Sequence, residues 1–269
     1  MRLLFVSPGV MGQYRGTGRL ASFQQADVEL FDSLGYEVRK LLWVGRPVHA
    51  LWRGARWADI VYCWSISDHA FVASMVGRRL ACVVGGYEFA NLADVHYGNL
   101  LTRRMRIITR WVWKRADALL YVDPSLMDEA TAAFGSPGRA FYVPTGYETD
   151  FWTPEGPKQR GMVLTVCHAP GAGRIRLKGV DLFIEAARRM PDLEFHVAGE
   201  AQRDELERRA VRNPAGRMDW SREPLPPNVV LHQWLERDGL RELYRKAEVY
   251  CQLSLHEGLP NAVCEAMLC

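Results

Sequence analysis

The chain reads LSLHEGLPNAVCEAM at residues 253–267, a stretch in which a strand ends, a glycine loop follows and a helix begins. Pro260 stands where a first helical residue is pre-organised by its fixed φ. The unpaired backbone N–H groups and the dipole of such a helix start form an anion site that suits a pyrophosphate. Glu257 in the loop and Glu265 in the second turn can both point towards one crevice at the carboxyl ends of the strands. The stretch therefore predicts a phosphate-binding βα unit with two carboxylates.

The same alternation of short apolar runs and helical periods extends over the rest of the chain, which predicts βαβ units and parallel sheets. The expected strands are Leu3 to Ser7, Val38 to Val44, Asp59 to Trp64, Cys82 to Gly85, Ala118 to Val122, Phe141 to Pro144, Met162 to Cys167, Glu194 to Ala198, Val229 to Gln233 and Val249 to Leu253. Prolines, a glycine and charges at 147–160 indicate a linker. We therefore predict an α/β protein of two doubly wound, Rossmann-like domains, at residues 1–150 and 151–269.

The composition is that of a globular protein, with 48% hydrophobic and 24% charged residues in 269. Its 34 basic and 31 acidic side chains are too balanced for a protein that coats nucleic acid. The six cysteines lack CxxC pairs and metal-ligand spacing, so we expect reduced thiols in a cytoplasmic protein. No apolar run reaches the length of a signal-peptide core or a membrane span, so any membrane contact would be peripheral.

A second glycine loop carries three cations and reads VCHAPGAGRIRLKGVD at residues 166–181. A predicted strand runs into this loop, and Arg174, Arg176 and Lys178 precede the next helix. Cations at a helix start can neutralise a leaving diphosphate. Taken alone, such a basic helix start is equally consistent with an ordinary solvated surface.

Residues 257–267 resemble the E-x7-E motif of the retaining GT-B glycosyltransferases of family 4, whose version looks like E-G-x-P-x-x-x-x-E-A-M. The resemblance implies that Glu257 contacts the donor sugar and Glu265 the nucleotide ribose. The implied donor loop also contains Gly258, Leu259, Pro260 and Asn261. The alternative is a helix that carries two glutamates after a glycine turn for no functional reason.

The basic loop is similar to the R-x(n)-K-G-hydrophobic-D segment of the same family, with Lys178 in the place of its lysine. The resemblance implies that Lys178 binds the diphosphate together with an arginine. This chain departs from the commoner pattern because its loop is reshaped, and Arg174 and Arg176 are both available for that role.

The N-terminal domain supplies further implied site residues. A glycine loop follows the first strand, and in the family it approaches the donor across an interdomain cleft, which implies a role for Gly16 and Gly18. His69 and Glu88 follow the third and fourth strands, at strand ends that face the cleft. The resemblance implies a catalytic role for His69 and a donor contact for Glu88. For His69, a satisfied or merely exposed histidine is an equally good interpretation.

By this resemblance, the reaction moves a sugar from a nucleotide-diphosphate donor to a glycan, lipid-linked or small-molecule acceptor, with retention at the anomeric carbon. The resemblance implies a reaction through an oxocarbenium-like state with front-face attack, in which the departing phosphate takes the acceptor's proton. The sequence contains no Asp-x-Asp triplet of the kind that holds a divalent metal on the diphosphate in another glycosyltransferase fold. We therefore expect no metal and no cofactor, with protein cations in their place.

Two other classes of function are compatible with the sequence. A noncatalytic nucleotide-sugar-binding relic would keep the donor site without turnover, which the early end of the chain makes relevant, because family members continue with further βα units. The second domain is therefore expected to be truncated. A dinucleotide-dependent oxidoreductase is disfavoured by the incomplete glycine fingerprint.

Residues 101–114 predict an amphipathic helix, with Arg103, Arg106, Arg110 and Lys114 on one face and Leu101, Met105, Ile108 and Val112 on another. The ordinary interpretation packs the apolar face on the sheet. A second interpretation, motivated by Trp111 and Trp113 at the edge of the helix, is contact with anionic lipid at the inner membrane face when the acceptor is lipid-linked.

Overall fold

The computed structural model describes residues 1–8, 20–45, 47–136, 138–168, 172–199, 225–232 and 234–269. The chain divides into two compact units, Met1–Gly146 and Tyr147–Cys269. The division lies close to the expected boundary at residue 150. Each unit is an α/β domain with a parallel sheet, as the alternation of apolar runs and helical periods predicts.

The first unit contains a six-stranded parallel sheet. Its strands are β1 (Arg2–Ser7), β2 (Glu37–Leu42), β3 (Ile60–Trp64), β4 (Arg79–Val84), β5 (Ala118–Tyr121) and β6 (Ala140–Tyr142). Its helices include α1 (Ser22–Ser33), α2 (Val48–Trp57), α3 (Asp68–Ser74), α4 (Arg103–Arg115) and α5 (Pro124–Phe134). The strand order is β2-β1-β3-β4-β5-β6, so the order in which strands are added reverses between β1 and β3. Residues 3–6 of β1 are buried on both faces, as a parallel sheet covered by helices requires.

The second unit contains a four-stranded parallel sheet. Its strands are β7 (Gln159–Val166), β8 (Glu194–Ala198), β9 (Val229–His232) and β10 (Ala247–Tyr250). Its described helices are α6 (Ala172–Leu177), α7 (Val180–Arg189), α8 (Arg237–Lys246) and α9 (Asn261–Leu268). The strand order is β10-β7-β8-β9. The chain therefore moves outward from β7 to β9 and then returns to the other side of β7, which makes the β7/β10 pair the point where the strand order reverses.

The expected linker at 147–160 is not a linker throughout, because its aromatic residues pack into the second unit. Trp152 is only 4% exposed, and its ring meets that of Tyr244 edge to face at 5.8 Å between centroids. The stretch from Gln159 onwards already belongs to β7. The linker interpretation is therefore wrong for these parts. Burial of the Trp152 side chain stabilises a packed conformation of this segment by more than the nearby prolines and glycine destabilise it.

Helix α4 confirms the predicted amphipathic helix. Thr102 caps it by accepting a hydrogen bond from the Met105 N–H, and Ile108 and Val112 are buried. Trp113, however, is 8% exposed and packs on Phe134, so it does not lie at the surface edge where it was expected.

No helix within the described ranges is long and apolar enough to cross a bilayer. All six cysteines lie in described positions and are free thiols, and four of them are buried.

Candidate functional site

The reversal between β7 and β10 brings two chain segments together that are far apart in sequence. In open α/β sheets, ligands bind outside the carboxyl ends of the strands at such a reversal. Beyond the end of β10, the Cys251 N–H still donates to the Leu164 carbonyl at 2.8 Å, so the two strands remain paired up to this edge. The two glycine loops that carry Lys178 and Glu257 follow these two strands.

Gly179 joins the turn after α6 to the segment that follows β10. Its φ is +66°, and a Cβ at this position would stand 2.1 Å from the carbonyl oxygen of Leu253. Next to it, the Leu255 N–H donates to the Leu177 carbonyl at 2.8 Å. Only glycine permits this left-handed turn at such a close backbone approach. The turn thereby fixes where Lys178 lies.

Lys178 and Glu257 form the centre of the site. The Lys178 Nζ lies 2.5 Å from Glu257 Oε1, and the two side chains are 20% and 23% exposed. Gln252 Nε2 donates to the same oxygen at 2.9 Å. Both contacts fall on Oε1, and within the described residues no hydrogen bond reaches Oε2. The carboxylate is thus held through Oε1, and its Oε2 can accept a hydrogen bond from a hydroxyl group.

Helix α9 begins at Asn261, one position later than expected. Pro260 is therefore the residue before the helix and not its first residue. Gly258 and Leu259 lie in the loop that leads to it. The Val263 N–H donates to the Pro260 carbonyl, which closes the first turn. Tyr147 Oη donates to Asn261 Oδ1 at 2.8 Å and anchors the helix start. The backbone N–H groups of this first turn are of the kind that binds anions.

Glu265 lies on α9, where Tyr244 Oη donates to its Oε2 at 3.1 Å. Burial raises the pKa of this carboxyl to about 7, against the opposing effects of the Tyr244 hydrogen bond and the charge of Arg237. Tyr244 is 2% exposed, so the partner that orients Glu265 belongs to the core.

Arg174 and Arg176 both lie on α6 and are half-buried. Burial raises the pKa of Asp181, and the positive charge of Arg176 counteracts that rise, so Arg176 acts electrostatically on the start of α7. That one of these two arginines binds an anionic ligand stays a prediction.

His69 is fully buried in the first unit. Its Nε2 lies 2.9 Å from the Trp64 carbonyl and its Nδ1 lies 2.7 Å from Ser67 Oγ. A carbonyl only accepts, so Nε2 carries the proton and Nδ1 accepts from the hydroxyl. Burial lowers the pKa of His69 to about 4, so the ring is neutral at physiological pH. This arrangement matches the satisfied histidine that the sequence left open as an alternative.

Glu88 is 1% exposed and accepts hydrogen bonds from three backbone N–H groups. Its Oε2 accepts from Gly85 and Gly86 at 3.1 and 2.9 Å, and its Oε1 accepts from Ile66 at 3.3 Å. The carboxylate therefore ties together the loops that follow β3 and β4. The other candidates of this unit, Gly16 and Gly18, lie outside the described residues.

Three supporting residues were not predicted from the sequence: Gln252 and Tyr244 each donate to a glutamate, and Tyr250 donates to Gln252. Gln252 has a visible signal, because it is a lone amide at the end of an apolar strand. The tyrosines have none, since a tyrosine in a helix or strand is an ordinary core residue. The described ranges contain no cluster of three or more His, Cys, Asp or Glu side chains that could hold a metal ion.

Residues 169–269 match the family model described as "Glycosyl transferases group 1", which covers both the Lys178 turn and the Glu257 loop. This match supports a glycosyltransferase. No curated protein sequence is significantly similar to the chain.

Solved structures resemble the chain over its whole length. Anabaena Alr3699/HepE in complex with UDP-glucose has a TM-score of 0.70 at 14% identity and covers 100% of this chain and 78% of its own. Sucrose-phosphate synthase from Thermosynechococcus elongatus has a TM-score of 0.68 at 13% identity, with 99% and 79% covered. The lipopolysaccharide outer core galactosyltransferase WaaB has a TM-score of 0.60 at 15% identity, with 100% and 78% covered. At these identities the likeness establishes the fold, which is of the α/β GT-B class.

Proposed function

We propose that the chain is a retaining, metal-independent glycosyltransferase of family 4 that moves a sugar from a nucleotide-diphosphate sugar to a glycan or lipid-linked acceptor. The observation that carries this proposal is the Lys178–Glu257 pair at the reversal between β7 and β10, followed by the start of α9. A cation, a carboxylate and a helix start are the groups that a sugar diphosphate needs.

Lys178 supplies the positive charge for the diphosphate as it leaves. A positioned donor of this kind contributes on the order of 3 kcal/mol of transition-state stabilisation. Arg174 or Arg176 adds a second cation. When the bond between the anomeric carbon and the phosphate oxygen breaks, the leaving phosphate takes the proton of the acceptor hydroxyl. The acceptor oxygen then bonds to the same face of the anomeric carbon, so no side chain serves as a covalent nucleophile.

Glu257 and Glu265 divide the recognition of the donor. Glu257 Oε2 accepts a hydrogen bond from a sugar hydroxyl, and Glu265 accepts one from the nucleotide ribose. The N–H groups at the start of α9 hold the phosphates between them. UDP-sugars are the first donors to test, because the Anabaena relative binds UDP-glucose in its crystal structure.

Calorimetric titration against UDP-, GDP- and ADP-glucose with EDTA present tests this proposal. We expect saturable binding of at least one of them, weaker binding of the Lys178→Ala variant, and a roughly 100-fold lower rate of sugar transfer or hydrolysis in that variant, which corresponds to about 3 kcal/mol of transition-state stabilisation. Lys246→Ala on the exposed end of α8 is the matched control. A folded protein that binds none of the three would overturn the proposal.

Transfer and hydrolysis of the bound donor distinguish an enzyme from a noncatalytic relic. We expect slow release of the free sugar in the absence of acceptor, and a loss of release in Glu257→Gln. Donor binding without transfer or hydrolysis would identify the relic.

A location at the inner face of the membrane is the second part of the proposal, and it rests on α4. This helix has six cations and no acidic residue, and its surface includes Ile107 and Trp111, which are 59% and 37% exposed. Such a surface suits anionic lipid. We expect sedimentation with phosphatidylglycerol vesicles at low salt, reduced in Arg110→Glu but unchanged in Lys40→Glu. Equal sedimentation of both variants would contradict this role of α4.

A further inference from the structure

The end of β10 holds the Glu257 carboxylate through a chain of side-chain hydrogen bonds. Tyr250 Oη, on the last residue of β10, donates to Gln252 Oε1 at 2.6 Å. The amide nitrogen of Gln252 donates to Ser254 Oγ at 2.7 Å and to Glu257 Oε1 at 2.9 Å. Every polar atom of the Gln252 side chain therefore has a partner, which leaves the side chain a single favourable position.

The orientation of the amide follows from the chemistry of its partners. A carboxylate only accepts hydrogen bonds, so the NH₂ group of Gln252 must face Glu257 and the amide oxygen must face Tyr250. Burial raises the pKa of the Tyr250 phenol, so this hydroxyl keeps its proton and remains a donor. Tyr250 thus favours the one orientation in which Gln252 can donate to Glu257.

Lys178 cannot hold Glu257 by itself and also serve a diphosphate. Its Nζ contacts the same Oε1 that Gln252 contacts, and a lysine side chain is a flexible point charge. When Nζ turns towards an anionic ligand, its contact with Glu257 weakens. The neutral, fully bonded amide has no competing anionic ligand and stays in place.

We propose that Gln252 is a positioning residue, which keeps Glu257 aligned for the donor sugar while Lys178 engages the diphosphate, and that Tyr250 orients Gln252. This proposal rests on the proposed function. It assigns the end of β10 a role in donor recognition that is separate from the charges of Lys178 and the arginines.

The Gln252→Glu variant gives this proposal a readout that a merely structural role would not move. Two carboxyl groups in hydrogen-bond contact raise the pKa of one of them, and the Lys178 ammonium beside Glu257 opposes part of that rise. Below that pKa, the introduced carboxyl group is protonated and can donate to Glu257 as the amide does, whereas above it two carboxylates repel each other. At pH 8, we expect the variant to bind UDP-glucose about 10- to 100-fold more weakly than wild type does at the same pH. This difference should shrink as the pH falls towards 5.5.

Three companion variants complete the test. Gln252→Leu should be weak at every pH, because it has no group to protonate, and Tyr250→Phe should show a smaller loss in the same direction. Gln159→Glu is the matched control, since Gln159 Nε2 donates to Glu194 at 2.8 Å in an exposed pair of the same unit. The Gln159→Glu variant should bind UDP-glucose as tightly as wild type at each pH.

A ligand-free measurement separates this proposal from the proposed function. A carboxyl whose folded pKa is raised stabilises the protein when it is protonated, and this contribution is lost as the pH rises through the folded pKa. The thermal midpoint of Gln252→Glu relative to wild type should therefore rise as the pH falls. Wild type that binds no nucleotide sugar would defeat the proposed function alone. A pH-independent midpoint difference, or a Gln252→Leu variant with wild-type affinity, would overturn the positioning role.

Discussion

Glu265 is a residue whose environment sets its charge at physiological pH. Burial raises its pKa to about 7, from an ordinary value of 4.5, so this carboxyl changes its protonation near neutral pH. The unfolded chain ionises this carboxyl in the acidic range instead. The group therefore stabilises the folded state below the ordinary pKa, and this contribution is lost as the pH rises through about 7.

Between pH 5 and pH 8, the titration of Glu265 should lower the free energy of unfolding of wild type by on the order of 2 kcal/mol. The Glu265→Gln variant should lack this decrease, because the amide does not titrate. Urea denaturation at both pH values measures the difference. Glu236→Gln at the exposed start of α8 is the control and should behave as wild type does. Equal pH dependence in Glu265→Gln and wild type would show that Glu265 ionises normally.

At the scale of elements, the turn between α6 and α7 depends on its contact with the segment after β10. Gly179→Ala should lower the free energy of unfolding by more than about 2 kcal/mol, because it adds a backbone clash to the strain of a positive φ. Gly156→Ala is a matched control, with a φ of +75° but no atom within 4 Å of the added Cβ, and should cost only about 1 kcal/mol. Equal losses by chemical denaturation would contradict the close approach to Leu253.

The loops after β3 and β4 depend in the same way on Glu88. In Glu88→Gln, one carboxylate oxygen becomes an NH₂ group that faces backbone donors, so we expect a loss of about 2 kcal/mol in urea denaturation. Glu37→Gln on the exposed surface of β2 should be neutral. If Glu88 instead contacts the donor, as the family resemblance implies, Glu88→Gln would weaken donor binding while leaving stability unchanged.

At the scale of the whole molecule, the reactivity of the cysteine thiols measures whether the cores of both units exclude solvent. Cys63 and Cys82 are buried in the first unit, and Cys167 and Cys269 in the second, whereas Cys251 and Cys264 are half-buried. We expect an aromatic disulfide reagent to label at most two thiols quickly in native protein and all six in urea. A Cys251→Ser/Cys264→Ser variant should lose the rapid phase. Rapid native labelling of more than two thiols would contradict the described cores.

The sequence by itself determined the class of fold, and it predicted the two residues that the structure brings into contact in the candidate site. Apolar runs such as 3–7 and 194–198 are local signals, because a buried parallel strand needs apolar residues on both faces, and each expected strand is present. Lys178 and Glu257 were also predicted, because glycine, proline and charge stand next to each other in their loops. Local spacing carries that information.

Only the tertiary structure decided which side chains act together. The reversal between β7 and β10 places Glu257 against Lys178, although 79 positions separate them, and no local pattern encodes that distance. Tertiary packing within each unit likewise buries Trp113 and Trp152. It also encloses His69 and Glu88 in hydrogen bonds. The supporting residues Gln252, Tyr250 and Tyr244 also became visible only there. The physical reason is that hydrogen bonding, burial and pKa depend on neighbours in space, which the folded chain supplies from distant segments.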